Sequence, residues 1–570
     1  MLEHFNAATL RGFVTRIDWV ALMSIALVGI FVITLLTSYI FPIYPDEIAT
    51  RFWLSRLPYD FPEKITNMPT CVSGFSQHIP ATWYMPGLVN WALHGNLESL
   101  HAFRQVGFLV AFLWVAGLAL YLRSRARDSM VNEGRALNSC RLNLLTAGLF
   151  IAVFSIGVFP IFLISNRHEQ LMLPSVVLLL FIFLAGDRLE IKGQPWQKLG
   201  LTVMYFVAVS LVLYGHPKGL FLTPFFAIVG WQLFRSFNSR PLFISAMALL
   251  GLHVAQAYVA WKYSFQCSEA PRLEALLKSF SFDPAALFYD PHLFFDQAYH
   301  SLLNFKKYLY QLSFQPQTDI GYLAPFPLGP FAKFANVFIR LDFAMAFFAI
   351  LVLLPLRYYR KDIVGGRLVT INAALLILLV SLLVSAVFNL PKNWYDAGYI
   401  YALLSIIWIF FIGENFRGIF QKTVARRIYF YLACVALLSQ AVFIHRNLPA
   451  FWSGYAGPGI PIVKYVHDAK SRDDLAASSR ACNIDPVQSK GVIVDDYTYF
   501  YYQKSQRPMP ITYIFVENDP ESIRRFISEA DSSGLVVRCS VMPVSYIPFA
   551  KKTGDVCCIP REALKNLPAP

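Results

Sequence analysis

Apolar runs about as long as a bilayer is thick recur along the whole chain, and charged residues are almost confined to the connectors between them. A helix crossing the hydrocarbon core needs about 20 predominantly apolar residues, with a working range of about 17 to 25. Runs of this kind lie at residues 19–41, 106–122, 144–164, 171–185, 199–214, 219–234, 242–261, 336–356, 368–390, 397–412 and 428–443, eleven in all. They predict an α-helical polytopic membrane protein, because in hydrocarbon every backbone polar group must be satisfied within the span. Composition agrees. Only 15% of the 570 residues are charged and 56% are hydrophobic, whereas a soluble domain carries about 25% charged residues.

The position of the basic residues predicts an orientation. Arg11 and Arg16, the group from Arg123 to Arg141, Arg188, Lys192 and Lys198, Arg235 and Arg240, Arg357 to Arg367, and Arg417 to Arg427 all fall in alternate connectors. The short connectors on the other side, 165–170, 215–218 and 391–396, carry one basic residue each: Arg167, Lys218 and Lys392. By the positive-inside rule the N-terminus is cytoplasmic, and an odd number of spans places the C-terminus outside. The first span has no small-residue cleavage site after it and is expected to be retained. The net charge of +14 thus belongs to membrane topology rather than to nucleic-acid binding.

Three larger segments then face outward: 42–105, 262–335 and the tail. The first two are rich in Trp, Tyr, Phe and Pro, which suits helices lying along the interface. The tail, 447–570, reads as a small α/β domain beside the membrane module of 1–446. Gly491–Asp495, Ile511–Val516 and Leu535–Arg538 have strand character, and Glu521–Ala530 has helix character. Cys482, Cys539, Cys557 and Cys558 cluster in this tail. No zinc-like spacing accompanies them, so disulfides or free thiols are expected, with the pairing open.

Polar residues recur where spans meet the outer face. Tyr44-Pro45-Asp46-Glu47-Ile48-Ala49 follows the first span, and Arg104 opens the second. Asn166-Arg167-His168-Glu169 joins the third and fourth spans, Tyr214-Gly215-His216-Pro217-Lys218-Gly219 the fifth and sixth, and Asn393-Trp394-Tyr395-Asp396 precedes the tenth. Each has a plain structural reading. Asp46, Glu47 and Asp396 suit helix starts, Arg104 and Arg167 suit headgroup anchoring, His216 suits a turn, and Lys218 suits a lipid phosphate. Converging on one outward cavity, the same residues form an inventory for chemistry: a carboxylate to take a proton, cations to neutralise a phosphate, and aromatic faces for a sugar or an isoprenoid.

This arrangement resembles the GT-C superfamily of polytopic glycosyltransferases, of the protein O-mannosyltransferase and lipid A aminoarabinose transferase type. Asp46 and Glu47 match its acidic position after span one. Ala102-Phe103-Arg104 is similar to its Arg-bearing segment, His216–Gly219 to the connector near the donor phosphate, and Asn393–Leu404 to a late Tyr-rich span start. Arg167-His168-Glu169 is more tightly spaced than the family's second acidic position. The resemblance implies transfer of a sugar, with inversion, from a polyprenyl-phosphate donor to a hydroxyl of a cell-envelope glycan, lipid or protein at the outer face of a bacterial inner membrane. Asp46 would be the general base. Glu47 or Glu169 would assist it or hold acceptor hydroxyls, and His216, Lys218, Arg167, Arg104, His168 and Tyr395 would bind substrate. Some members use a divalent metal and others do not; no metal ligand is assigned here.

Two other readings compete. A transporter or flippase of lipid-linked saccharides would carry ionisable groups near the bilayer midplane. The spans here are almost clean of charge; Arg340 and Asp342, near the outer start of the eighth, are the main exception, and interface anchoring explains them. A glycan polymerase or ligase would place a dense basic cluster in a large outer loop, but 262–335 holds only scattered Arg272, Lys278, Lys306 and Lys307. A soluble nucleotide-sugar donor fits poorly. The longest inner loop, 123–143, has neither a βαβ unit nor a Gly-rich phosphate turn.

Overall fold

A computed structural model of the chain describes residues 19–39, 100–132, 139–165, 167–192, 195–237, 239–264, 286–314, 329–388, 394–415, 423–453 and 469–495, and in the tail 497–502, 505, 509–510, 532–542, 544–565 and 567. Asp46 and Glu47 lie outside the described residues, as do the expected strand 511–516 and helix 521–530.

The membrane module begins with α1 (Trp19–Tyr39), α2 (Leu100–Asn132), α3 (Ser139–Phe154), α4 (Phe159–Ile164), α5 (His168–Lys192) and α6 (Pro195–Gly215). A 3-10 turn (Pro217–Leu222) leads into α7 (Thr223–Arg235), followed by α8 (Arg240–Ser264), α9 (Ala286–Tyr289), α10 (Pro291–Asn304) and α11 (Lys306–Leu312). The last four are α12 (Pro330–Arg357), α13 (Ile371–Phe388), α14 (Trp394–Asn415) and α15 (Thr423–Ser453). Among the described residues eight helices are long and apolar enough to cross a membrane, those within α2, α5, α6, α8, α12, α13, α14 and α15. Three of the eleven expected spans are helical but fall short of that measure. The apolar part of α1 is Ala21–Leu36, α3 has 16 residues, and α7 has 13 because Pro217–Leu222 winds as a 3-10 turn.

The expected span 144–164 is broken in its middle. Gly157 adopts a left-handed φ of 56°, and a Cβ there would lie 1.9 Å from the carbonyl oxygen of Leu312. A break inside hydrocarbon is tolerated only where protein satisfies the freed backbone groups. Here it does so from two sides. Val158 N donates to Leu312 O at 3.0 Å, Gly157 N donates to Ser439 Oγ at 2.6 Å, and Gln440 Nε2 donates to Ser155 O. Pro160 in the first turn then restarts the chain as α4.

Helices α1, α3 and α15 share a small core in which Leu27, Ala152, Tyr429 and Ala433 meet, and Ser24 Oγ lies 2.6 Å from Tyr429 OH beside Gly148. Ser24, near the start of α1, meets Gly148, and α1 goes on to pack against α4, so α1 runs parallel to α3. The C-terminal end of α1 therefore reaches the same face of the bundle as Ile164 and the start of α5. At the opposite end Tyr121 OH donates to Glu414 at 2.7 Å and Arg125 pairs with the same carboxylate. Nearby, Arg357 Nε donates to Asn415 at 3.0 Å. Arg340, in the first half of α12, lies over the Tyr310 ring at 4.2 Å and donates to Ser313 Oγ at 3.2 Å, while Asp342 is buried in the same helix.

The tail forms the expected α/β unit. Helix α16 (Ala469–Cys482) precedes β1 (Val492–Val494), α17 (Tyr499–Tyr502), β2 (Met509–Pro510), β3 (Gly534–Arg538), β4 (Lys551–Thr553), β5 (Val556–Pro560) and α18 (Arg561–Lys565). The strands order as β2-β1-β3-β5-β4, parallel among the first three and antiparallel thereafter. Adjacent residues of a strand face opposite sides of a sheet, so Cys557 and Cys558 of β5 point into different cores. Cys557 bonds Cys539, just past β3, and Cys558 bonds Cys482 at the end of α16. One disulfide thus fastens each face, and all four clustered cysteines are used. Sequence reading located this domain but missed α16 and the β4–β5 hairpin.

Gly157→Ala should lower the thermal midpoint and the yield of folded protein, because the strained φ and the clash with Leu312 O together cost at least about 1–3 kcal/mol. Gly251→Ala, at a helical site with open space around its Cα, should leave the midpoint unchanged or raise it. Equal behaviour of the two variants in a detergent melt would contradict this role for the break.

Candidate active site

The start of α5 is the hub of the polar cluster. Glu169 sits in the first turn of the helix, where the helix dipole favours a carboxylate, yet its side chain is only 1% exposed. A buried carboxylate is costly unless paired, and three groups gather round it. Lys218 Nζ lies 3.2 Å from Oε1, His216 Nε2 lies 3.5 Å from the same oxygen, and Arg167 Nε lies 3.5 Å from Oε2. Lys218 in turn reaches Asp396 Oδ1 at 2.5 Å. One ammonium thus bridges two carboxylates that are 227 positions apart in the chain.

Each element contributes for a local reason. The 3-10 turn after α6 begins with Pro217, and His216 Nδ1 accepts the Lys218 backbone N–H at 3.2 Å. That bond occupies Nδ1, so a neutral imidazole carries its proton on Nε2, facing Glu169. Burial pushes the His216 pKa down to about 3 against the opposing pull of Glu169, and the ring is neutral at physiological pH. Burial also works against the charge of Lys218, but Asp396 and Glu169 outweigh it and raise the lysine's pKa. The ammonium therefore stays charged. On α14, Tyr395, Asp396 and Tyr399 share a face. The Tyr395 ring lies beneath the Arg167 guanidinium at 3.6 Å from its centroid, and Lys218 Nζ is 5.9 Å from that ring and 5.6 Å from the Tyr399 ring.

Gln170 fixes the height of this assembly. Its Nε2 donates to Gly107 O at 3.0 Å and to Leu163 O, tying α5 to α2 and α4. Gly107 is required there, since a Cβ would lie 2.3 Å from Ile164 O. Arg104, one turn earlier on α2, is 1% exposed.

Of the residues singled out in the sequence, the structure brings Arg167, Glu169, His216, Lys218 and Tyr395 into one cluster. It places the half-buried His168 at the start of α5 and buries Arg104 at the same end of the bundle. Asp46 and Glu47 lie outside the described residues, although the parallel course of α1 and α3 carries the chain before them to this face. Asp396 does sit in a first turn as expected of a cap, but its carboxylate does more, holding Lys218. The tyrosine at 399, the Gln170 brace and the close approach at Gly107 were missed. The spacing of Tyr395, Asp396 and Tyr399 was the available signal for the first of these. Glu169 and Asp396 are bridged by the ammonium, and among the described residues no group of three or more His, Cys, Asp or Glu could hold a metal ion.

No known family's sequence profile matches the chain, and no curated protein matches it. Among solved structures it is similar to the archaeal oligosaccharyltransferase AglB from Archaeoglobus fulgidus in complex with an inhibitory peptide and a dolichol-phosphate. That comparison has a TM-score of 0.41 and 13% identity, covering 90% of this chain and 69% of that one. A second similar structure is the Archaeoglobus fulgidus oligosaccharyltransferase tethered with an acceptor peptide containing the NVT sequon via a disulfide bond, with a TM-score of 0.40 and 12% identity, over 90% and 69% of the two chains.

Removing the shared cation should be more harmful than removing the ion cluster piecewise in balanced form. Lys218→Met strands two buried carboxylates and should destabilise the protein by about 3–5 kcal/mol, the usual cost of breaking a buried pair. Adding Glu169→Gln should recover part of that loss, a non-additivity measurable by a double-mutant cycle on detergent melts. Strict additivity would show that the two side chains are not energetically coupled.

Proposed function

We propose that the chain is a membrane glycosyltransferase of the GT-C type, moving a sugar from a polyprenyl-phosphate donor to a hydroxyl of an extracytoplasmic acceptor. The observation that carries this reading is the convergence of Arg167, His216 and Lys218 around Glu169 at one end of a membrane-spanning helix bundle. A phosphate that travels within a leaflet arrives at the level of helix ends, and this is where those three donors are held. In a partly dry site their hydrogen bonds to an anion are worth far more than in water.

In the proposed reaction an acceptor oxygen attacks the anomeric carbon as the carbon–oxygen bond to phosphate breaks, inverting that centre. The acceptor proton passes to Asp46. The departing polyprenyl phosphate keeps the bonding electron pair, and Lys218, Arg167 and the Nε2–H of His216 stabilise the charge that develops on it. Glu169 is already committed to Lys218 and Arg167, which makes it a poor proton acceptor. We therefore assign it, with Asp396, to positioning the cations, and we leave the base at Asp46 with Glu47 beside it. Tyr395 keeps the Arg167 guanidinium flat against its ring and so directs its edge. No step is assigned to a metal.

The tail domain supports an extracytoplasmic placement of the cluster's face. Its two disulfides need an oxidising compartment, and the connectors with few basic residues lie on the cluster side. The acceptor would then be a cell-envelope glycan, lipid or protein reached from that side.

The test is reconstitution of the purified chain in liposomes with a polyprenyl-phosphate sugar or a nucleotide sugar, each with an acceptor glycan. Transfer should depend strictly on the lipid donor, and Asp46→Asn should reduce it at least about a hundredfold without loss of folded protein. Transfer from a nucleotide sugar in the absence of polyprenyl phosphate would overturn the reading.

A further inference from the structure

The tail domain carries an apolar patch that its own core does not use. Among the described tail residues four large apolar side chains are exposed, and three of them, Val544, Ile547 and Phe549, sit in a single 3-10 turn, Val544–Phe549. Single exposed apolar residues are ordinary on a soluble surface, but three within one turn form a patch. The turn is built to hold them outward. Tyr546, only 1% exposed, packs into the core with Met542, Cys557 and Leu564, and Pro548 restricts the backbone beside it. Positions three apart eclipse in a 3-10 helix, so Val544 and Ile547 share a side that Tyr546 does not occupy. Lys552 in β4 stands opposite Cys557, and residues opposite each other in a ladder share a sheet face. It therefore lies on the face that Tyr546 covers, where it makes no hydrogen bond or ion pair with any described residue. Lys551 turns to the other face and donates to Ala481 O at 2.6 Å. Of the remaining exposed charges here, Asp555 lies at the hairpin turn, the end away from Phe549, and Arg561 and Glu562 adjoin and offset each other.

We propose that this turn docks the tail domain on the bilayer surface, with Val544, Ile547 and Phe549 entering the boundary between headgroups and acyl chains and Lys552 meeting lipid phosphates. Apolar side chains beside a cation are the pattern of a segment that lies in that boundary, and a lysine there adds attraction to an anionic surface. The bilayer is also an apolar partner that stays within reach of the tail. The last membrane-spanning stretch ends at His445 within α15, and α16 begins at Ala469. The fifteen residues 454–468 between the two helices extend at most about 50 Å. A tethered contact forms at high effective concentration, so three side chains and one lysine suffice where a free domain would dissociate. Docking by this face turns the opposite face, with α16 and the Cys482–Cys558 disulfide, toward solvent. The docking would hold whether or not the chain transfers a sugar.

The test is photo-crosslinking of the full chain, reconstituted in vesicles of dioleoyl phosphatidylglycerol and phosphatidylcholine in equal parts. The photoreactive residue p-benzoylphenylalanine replaces Phe549 or, as a reference, Asp473, which is exposed on α16 at the opposite face of the sheet. Lipid adducts, read by mass spectrometry, should form at the Phe549 position and not at the Asp473 position. Lys552→Gln should lower the adduct yield at the Phe549 position by up to about fivefold, the weight of one lysine beside an anionic surface. Ile547→Asp should remove most of the adducts while keeping the thermal midpoint in detergent, because that side chain is exposed. No lipid adduct at the Phe549 position, equal adducts at the two positions, an unchanged yield in Ile547→Asp, or crosslinks from the Phe549 position only to the membrane module or to a second copy of the chain would overturn the proposal.

Discussion

A lysine ammonium held between two buried carboxylates is the interaction on which this end of the molecule depends. Glu169 enters from the start of α5, Asp396 from the start of α14, and Lys218 from the turn between α6 and α7. At such low exposure a carboxylate is costly unless a cation stands beside it, and one ammonium serves both. Arg167 completes the electrical balance, and the neutral His216 adds a donor without adding charge. Three chain segments remote in sequence are thereby locked at one depth in the bundle. A bound phosphate would meet donors whose geometry is already fixed, which is the condition for electrostatic stabilisation without reorganisation.

The irregular parts of the fold serve that placement. The break at Ser155–Val158 ends α3 early and lets α4 restart against α2, bringing Ile164 under Gly107 and the Gln170 brace into reach. A continuous helix through this stretch would set the start of α5 at another height and rotation. The freed backbone groups are taken up by Leu312, Ser439 and Gln440, so α11 and α15 brace the break on which the site's placement depends. The tail domain depends on covalent fastening in the same spirit: its sheet is short, and a disulfide on each face ties it to α16 and to the end of β3.

Much of the membrane module was legible in the sequence because exclusion of charge from hydrocarbon leaves a signal about 20 residues long. Each of the eleven apolar runs carries a helix among its described residues, with 144–164 interrupted at Gly157 and 219–234 opening as a 3-10 turn. The irregular backbone at Gly157 and at Pro217–Leu222 left no such signal, since glycine and proline are common within spans and the satisfying partners are remote. The ionisable residues at span ends were legible one at a time, each with a plain anchoring or capping reading. Their convergence was not, because it depends on helix packing order, which hydropathy does not encode. Asp396 shows the limit well: a first-turn aspartate reads as a cap, and only the approach of Lys218 from 178 positions away gives it a second task. In the tail, adjacent cysteines at 557 and 558 left the pairing open until β5 placed them on opposite faces.

On the proposed function, the Glu169-centred cluster receives the phosphate of a membrane-borne donor. Cryo-electron microscopy of the protein in nanodiscs containing a polyprenyl phosphate tests it most directly. Phosphate density is expected within hydrogen-bonding reach of Arg167, Lys218 and His216, with the isoprenoid leaving laterally into the bilayer. Well-resolved polyprenyl phosphate bound elsewhere, with this cluster unliganded and its Glu169–Lys218–Asp396 bridge unchanged, would contradict it.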